Sequence, residues 1–311
     1  MTALHSPSIK NNSSQLCVLI PDLERHVQCY QKTIANVVSC RGIGVHSGSS
    51  VSLTFHPAVS GSGITFIRTD LGGIEIQALW QNVVDTRLCT TIGNGQGTII
   101  STVEHLMAAL AARGIDNIRV EINGPELPIM DGSAQPFVTL IEEAGVKDQR
   151  APRRVIRILK TVTVEEGDRK VSLSPAPYYE IEVDFDFAGR TSLAPQHLVF
   201  RPLEEDFAED ISSARTFGLL EDAEKLWAMG LSKGASLENT LVYDGESIVN
   251  ESLRYEDECV RHKVLDALGD LHLAGGLILG KFHGVRTGHN LHHKLLLALF
   301  ADPTAYVIEV R

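Results

Sequence analysis

His262, Asp266 and Asp270 follow one another at four-residue intervals within the stretch Tyr255 to Leu271. On a helix that spacing stacks them on one face, where a histidine and an aspartate at i and i+4 can aim at one point, as two metal ligands must. A second constellation lies upstream, Glu104 beside His105. Together His105, His262 and Asp266 would offer two imidazoles and a carboxylate, leaving a fourth zinc position open to water. Structural zinc is instead closed by four ligands, often cysteines. Zinc so held lowers the pKa of its water to about 7 and polarises a carbonyl oxygen. Glu104 could then act as general base. His289, in a glycine-flanked loop, could protonate a leaving nitrogen, since imidazole titrates near neutral pH. A plainer reading stands beside this one. Charged outer faces are the rule on amphipathic helices, Ser101-Thr102-Val103-Glu104 matches a capping box that would occupy Glu104, and a lone His105 on a packed helix is ordinarily structural.

The elements that carry these residues can be read from periodicity. Val260, Val264, Ala267, Leu268 and Leu271 share the face opposite His262, so a helix is expected from about Asp257 to Ala274, closed by Gly275-Gly276. Thr102 to Arg113 reads as a helix stopped by Gly114, and Ala134 to Ala144 as another. Strands are expected at 33–40, 50–56, 64–68 and 118–122. In the second half they are expected at 154–164, 170–174 and 180–187, with turns at Glu166-Gly167-Asp168 and Ser174-Pro175. Leu277 to Gly280 reads as a short strand followed by a loop through His289, then a helix from Leu291 to Phe300 and a strand from Ala305 to Val310. Lys147 to Arg154, charged and without apolar period, is the expected domain boundary. The apolar residues of Leu219 to Ser236 read on their own as a core-facing helix. Strands followed by a histidine-bearing helix and a further helix occur in both halves.

The totals bound the class. The 311 residues suit one or two domains, and 43% hydrophobic with 22% charged residues is ordinary for a globular protein with a real core. A net charge of −11 argues against a nucleic-acid partner. Five cysteines without a C-x-x-C pair fit a reducing compartment and offer no thiolate metal site. No apolar run approaches the ~20 residues of a membrane span. Residues 1–31, with one short apolar patch at Leu16 to Ile20, lack the layout of a secretion signal, so a loosely held extension of a cytoplasmic protein is expected.

Several segments closely resemble one family. They are Ser101-Thr102-Val103-Glu104-His105-Leu106, Gly114-Ile115-Asp116-Asn117, Pro128-Ile129-Met130-Asp131-Gly132-Ser133, Ala214-Arg215-Thr216-Phe217-Gly218, the run Arg254 to Leu271, and Thr287-Gly288-His289. In this order they are similar to the zinc-dependent UDP-3-O-acyl-N-acetylglucosamine deacetylases of lipid A biosynthesis, from about Thr33 onward. The resemblance implies an α+β fold of two similar domains, 32–150 and 151–311, each a β-sheet layered on two helices, with the active site between them. It implies His105, His262 and Asp266 as Zn2+ ligands, Glu104 as base, His289 as the cationic acid with Asp270 as its orienting partner, and Thr216 as a hydroxyl on the scissile carbonyl. Lys263, Phe187, Asp186, Arg286 and Phe217 match substrate positions around the sugar and UDP, where cations suit a diphosphate and a phenyl ring suits uracil. The segment 219–237 matches the family's inserted acyl-chain passage, with Leu226, Trp227, Ala235 and Leu237 as wall.

The implied substrate is UDP-3-O-acyl-N-acetylglucosamine, with no nucleic-acid partner, no transmembrane segment and a monomeric chain. Lys233-Gly234-Ala235-Ser236 stands where Gly-Gly-Ser is common, Ala223 where a larger aliphatic is frequent, and Arg286 where some members carry lysine; these leave acyl length open. Two competing readings are a zinc amidohydrolase of another acylated sugar and a non-catalytic scaffold. A fused dehydratase is not expected after Arg311.

Overall fold

The computed structural model describes residues 30–191, 193–245 and 247–311, so the apolar patch at Leu16 to Ile20 lies outside the described residues. Six helices are described: α1 (Glu104–Ala112), α2 (Gln135–Ala144), α3 (Phe207–Asp210), α4 (Leu220–Ala228), α5 (Glu258–His272) and α6 (His289–Ala301). The fold is α+β.

In Ser50–Pro57 the alternation of Val51, Leu53 and Phe55 inward with polar residues outward makes a half-buried strand. It joins a five-stranded sheet in the order Val38–Ile43, Ser50–Pro57, Ile118–Ile122, Ile64–Arg68, Ile74–Gln77. A seven-stranded sheet is organised around Leu277–Val285. That strand runs parallel to Val155–Arg157 through Leu277–Leu279, parallel to Tyr179–Asp184 through Gly280–Val285, and antiparallel to Lys170–Ser174 through Lys281–Val285. α2 packs against Val38–Ile43 and α1, α5 against Tyr179–Phe185 and Gln196–Phe200, and α6 against Val162–Glu166 and Arg169–Ser174. α1 and α5 meet in the middle, the most extensive pairing of elements in the fold. One continuous apolar cluster, including Leu106, Leu110, Val264 and Leu268, runs through that junction. Among the described residues no helix is long and apolar enough to cross a membrane.

Several local expectations are corrected. The polar face of α5 is not solvated: His262, Asp266 and Asp270 are as buried as the apolar face, because α1 covers them. The capping box does not form. Val103 precedes α1 without a side-chain cap, Ser101 Oγ instead accepts from Thr91 Oγ1, and Glu104 Oε2 accepts from the Thr90 N–H at 3.0 Å. Thr102, just before α1, sits at φ +60, a strained position for a β-branched residue. The charged stretch without apolar period after Gly145 is a strand, Val146–Pro152, paired antiparallel with Tyr30–Ile34. The 154–164 run breaks into Arg154–Ile158 and Val162–Glu166. No hairpin forms at Ser174-Pro175: the strands on either side of it flank Lys281–Val285 on opposite edges. That strand continues to Val285, where a loop was expected after Gly280. α4 has no fully buried residue and Trp227 is 52% exposed, so it is not a core helix.

Candidate active site

α5 begins where Glu258, fully buried, gathers the chain. Its Oε1 accepts from Arg215 N and Nε, both at 2.9 Å, and its Oε2 accepts from Arg254 N at 2.7 Å. This ties the Ala214–Phe217 segment to the first turn of the helix. One turn later His262 Nδ1 donates to the Ala214 carbonyl at 2.9 Å. A carbonyl can only accept, so the proton is on Nδ1 and Nε2 carries a lone pair. That lone pair faces Asp266 Oδ1 at 3.4 Å, and His105 Nε2 lies 3.9 Å from the same oxygen.

Asp266 Oδ1 is buried and has no hydrogen-bond partner, whereas Oδ2 accepts from Lys263 Nζ at 2.9 Å. An unpartnered carboxylate oxygen facing a lone pair is costly in a dry interior unless a cation lies between them. The three ligand atoms fall within 4.8 Å of one another. Burial and the neighbouring His262 push His105 down to about 3, and burial also lowers His262. Burial alone would raise Asp266, but the neighbouring His262 ring and the Lys263 ammonium hold it well below the usual carboxylate range. Two neutral imidazoles and an ionised carboxylate form a donor set that can hold a metal ion.

Glu104, on the first turn of α1, is also buried, and burial pushes its carboxyl up to about 7. Across from it, His289 at the start of α6 places Nε2 4.0 Å from Glu104 Oε1. His289 Nδ1 donates to Asp270 Oδ2 at 2.7 Å. Burial would lower this imidazole, yet the Asp270 charge and hydrogen bond outweigh it and raise it to about 10. A proton acceptor and a proton donor thus face each other beside the ligand triad.

Glu104, His105, Thr216, Phe217, Leu226, Ala235 and Leu237 line one cavity of about 520 Å3, within the range of ligand sites. The apolar face of α4 forms one wall, which accounts for its exposure. Lys263 Nζ sits 5.1 Å over the Phe217 ring, and Phe217 packs edge-on to Phe185 and Phe187 at 5.1 and 5.6 Å. Phe187, Asp186 and Arg286 do not line that cavity. Arg286 instead donates to Asp186 Oδ2 at 3.0 Å and pairs with Asp168. Three residues absent from the sequence-derived set join the site. Thr90 holds both Glu104 and Asp270, Cys89 lines the cavity, and His292 shares Asp270 with His289. Only His292 carried a sequence signal, three residues beyond His289 and so on the same helical face.

The family profile described as UDP-3-O-acyl N-acetylglycosamine deacetylase matches residues 31–301. Over 280 residues the chain is 50% identical to a UDP-3-O-acyl-N-acetylglucosamine deacetylase of Myxococcus xanthus, covering 89% of this chain and 88% of the relative. It is 47% identical over 282 residues to the protein of that name from Tolumonas auensis, with 89% and 91% covered. For that of Shewanella baltica the identity is 45% over 280 residues, with 89% and 92% covered.

Proposed function

Because the chain belongs to the UDP-3-O-acyl N-acetylglycosamine deacetylase family, we propose that it hydrolyses the N-acetyl group of UDP-3-O-acyl-N-acetylglucosamine in lipid A biosynthesis, with zinc held by His105, His262 and Asp266. The observation that carries the metal reading is the His262 Nε2 lone pair directed at the unpartnered Asp266 Oδ1. Bound there, zinc supplies a Lewis acid that makes water more acidic and polarises the acetyl carbonyl.

The remaining chemistry belongs to side chains of this chain. Glu104 removes a proton from the attacking water as its oxygen bonds to the acetyl carbon. The Thr216 hydroxyl, on the cavity wall, donates to the oxygen on which negative charge develops. His289, kept cationic by Asp270, adds charge stabilisation and gives its Nε2 proton to the sugar nitrogen as the C–N bond breaks, releasing acetate. The α4 wall of Leu226, Trp227, Ala235 and Leu237 takes the 3-O-acyl chain. Lys263, Phe187, Asp186, Phe217 and Arg286 serve the sugar and the diphosphate, Arg286 exchanging Asp168 for phosphate.

In this reading 32–150 and 151–311 are two domains with the acyl element inserted at 219–237, acting as a monomer in the cytoplasm. The deciding experiment measures metal content and deacetylase turnover on one sample before chelation, after it, and after zinc return. The substrates are UDP-N-acetylglucosamine with and without the 3-O-acyl chain. Turnover that tracks zinc and needs the acyl chain is expected; zinc-independent turnover, or equal turnover on both substrates, overturns the assignment.

A further inference from the structure

Asp270 does not serve His289 alone. Its Oδ2 accepts from His289 Nδ1 and from His292 Nδ1, each at 2.7 Å, and its Oδ1 accepts from Thr90 Oγ1 at 2.5 Å. His292 is fully buried on α6, its ring edge-on to Phe282 with centroids 5.5 Å apart. Its other nitrogen, Nε2, lies 2.6 Å from Thr287 Oγ1. The ionised carboxylate can only accept, so Nδ1 of His292 carries a proton. In the neutral ring Nε2 is then the acceptor and the Thr287 hydroxyl the donor. Burial lowers His292 below the ordinary histidine range, which keeps it neutral beside the cationic His289.

We propose that His292 is a positioning residue for the deacetylation: with Thr90 it clamps the Asp270 carboxylate so that Oδ2 stays on His289 Nδ1 and His289 Nε2 stays turned to the reaction centre. This rests on the reading of His289 as the acid. Without His292, the only group holding Oδ2 would be the His289 imidazole that the carboxylate has to orient. Held by Thr90 at one oxygen and His292 at the other, it cannot turn without breaking a buried hydrogen bond and leaving a buried polar group unpaired. Thr287 completes the clamp by fixing the His292 tautomer. The titratable groups facing His289 are Asp270 and Asp266 from α5, Glu104 from α1, and His292 from its own helix, with His105 and His262 at the ligand triad. His292 is fully buried behind Asp270, so its effect reaches the reaction centre through Asp270 and His289.

Two substitutions in the zinc-loaded full chain separate positioning from packing. His292→Asn keeps an N–H donor near the place of Nδ1, while His292→Leu fills the volume and donates nothing. A general acid contributes about 10²–10⁴-fold, so loss of its alignment in His292→Leu is expected to lower kcat by roughly tenfold or more. KM should change little, and the alkaline limb of kcat should move to lower pH. His292→Asn is expected to restore most of both. Wild-type kcat and pH profile in His292→Leu, at unchanged metal content, overturn the proposal, as do equal losses in the two variants. If His292→Leu does not fold, Thr287→Val and the imidazole nitrogen spectrum of the unmutated chain decide. A bare Nε2 and a protonated Nδ1 on His292, with a kcat loss in Thr287→Val, support the clamp; a protonated Nε2 overturns it. The spectrum reports on the clamp even if the unmutated zinc-loaded chain shows no turnover, a result that would sink the deacetylase reading instead.

Discussion

A Cβ on residue 269 would overlap the carbonyl oxygen of Glu104, so α5 approaches the first turn of α1 as closely as it does only because Gly269 has no side chain. That contact sets the spacing between α1, which carries Glu104 and His105, and α5, which carries His262 and Asp266.

Gly269→Ala is therefore expected to push the two helices apart. Overpacking of this kind costs ~1–3 kcal/mol, readable as a lower denaturation midpoint in urea. Turnover should fall further than stability alone explains, because Glu104 is the residue displaced. A wild-type midpoint and rate in Gly269→Ala would show that the helices have slack.

Glu104→Ala should retain metal and lose most turnover, by roughly 10²–10⁴-fold for a general base. Metal analysis alongside kcat checks both halves. Full activity would remove Glu104 from the base role.

Asp266→Ala removes the oxygen that has no protein partner, so weaker zinc retention is expected. Equilibrium dialysis against a competing chelator measures it. Unaltered metal content would count against ligation at this position.

With His289 as the proposed acid, its pairing with Asp270 is expected to set the alkaline limit of the rate. Its folded pKa of about 10 lies above the unfolded one, near ~6.5. The cationic acid is therefore present at neutral pH and lost as pH rises through about 10. The stability contribution has the same sign, complete below the unfolded value and lost on the way up. Asp270→Asn removes the charge and should bring the alkaline limb of kcat down toward neutrality; an unmoved limb would assign it to another group.

Ala235, half-buried on the wall of the 520 Å3 cavity, is a handle on acyl length. Each methylene kept out of an apolar passage forfeits ~0.8 kcal/mol. Ala235→Phe is expected to raise KM for long acyl chains and spare short ones, in a series of substrates of graded length. Uniform loss across the series would place Ala235 outside the passage.

Helical spacing suggested His262 and Asp266 as a pair and the family resemblance joined His105 to them; the fold brings the three ligand atoms within 4.8 Å of one another. What the spacing concealed was the burial of that polar stripe. Amphipathic periodicity predicts one solvated face, but α5 is covered on both, by the seven-stranded sheet and by α1. The full length of the strand Leu277–Val285 is hidden in the sequence because Gly280 and Gly284 look like loop residues. In the fold a side chain at either would meet crowded neighbours, Ile158 at Gly280 and Thr287 at Gly284. Thr90 had no local signature at all, since its partner Asp270 is 180 residues away. Ser101 to Glu104 carried a local capping signal that tertiary contacts overrode.

That separation along the chain governs the order of assembly. Thr90, Glu104 and His105 are synthesised well before α5 and α6, and the strand connecting those two helices is the one around which the seven-stranded sheet is organised. Non-local closure of this kind is slow to nucleate, because chain entropy is lost before the contacts that offset it can form. During synthesis, His105 must therefore wait, unsupported by α5, until the later segments emerge. On the proposed metal reading, His105 gains its partner ligands His262 and Asp266 only once α5 has docked. A nascent chain halted before α5 would lack two of the three candidate ligands, His262 and Asp266.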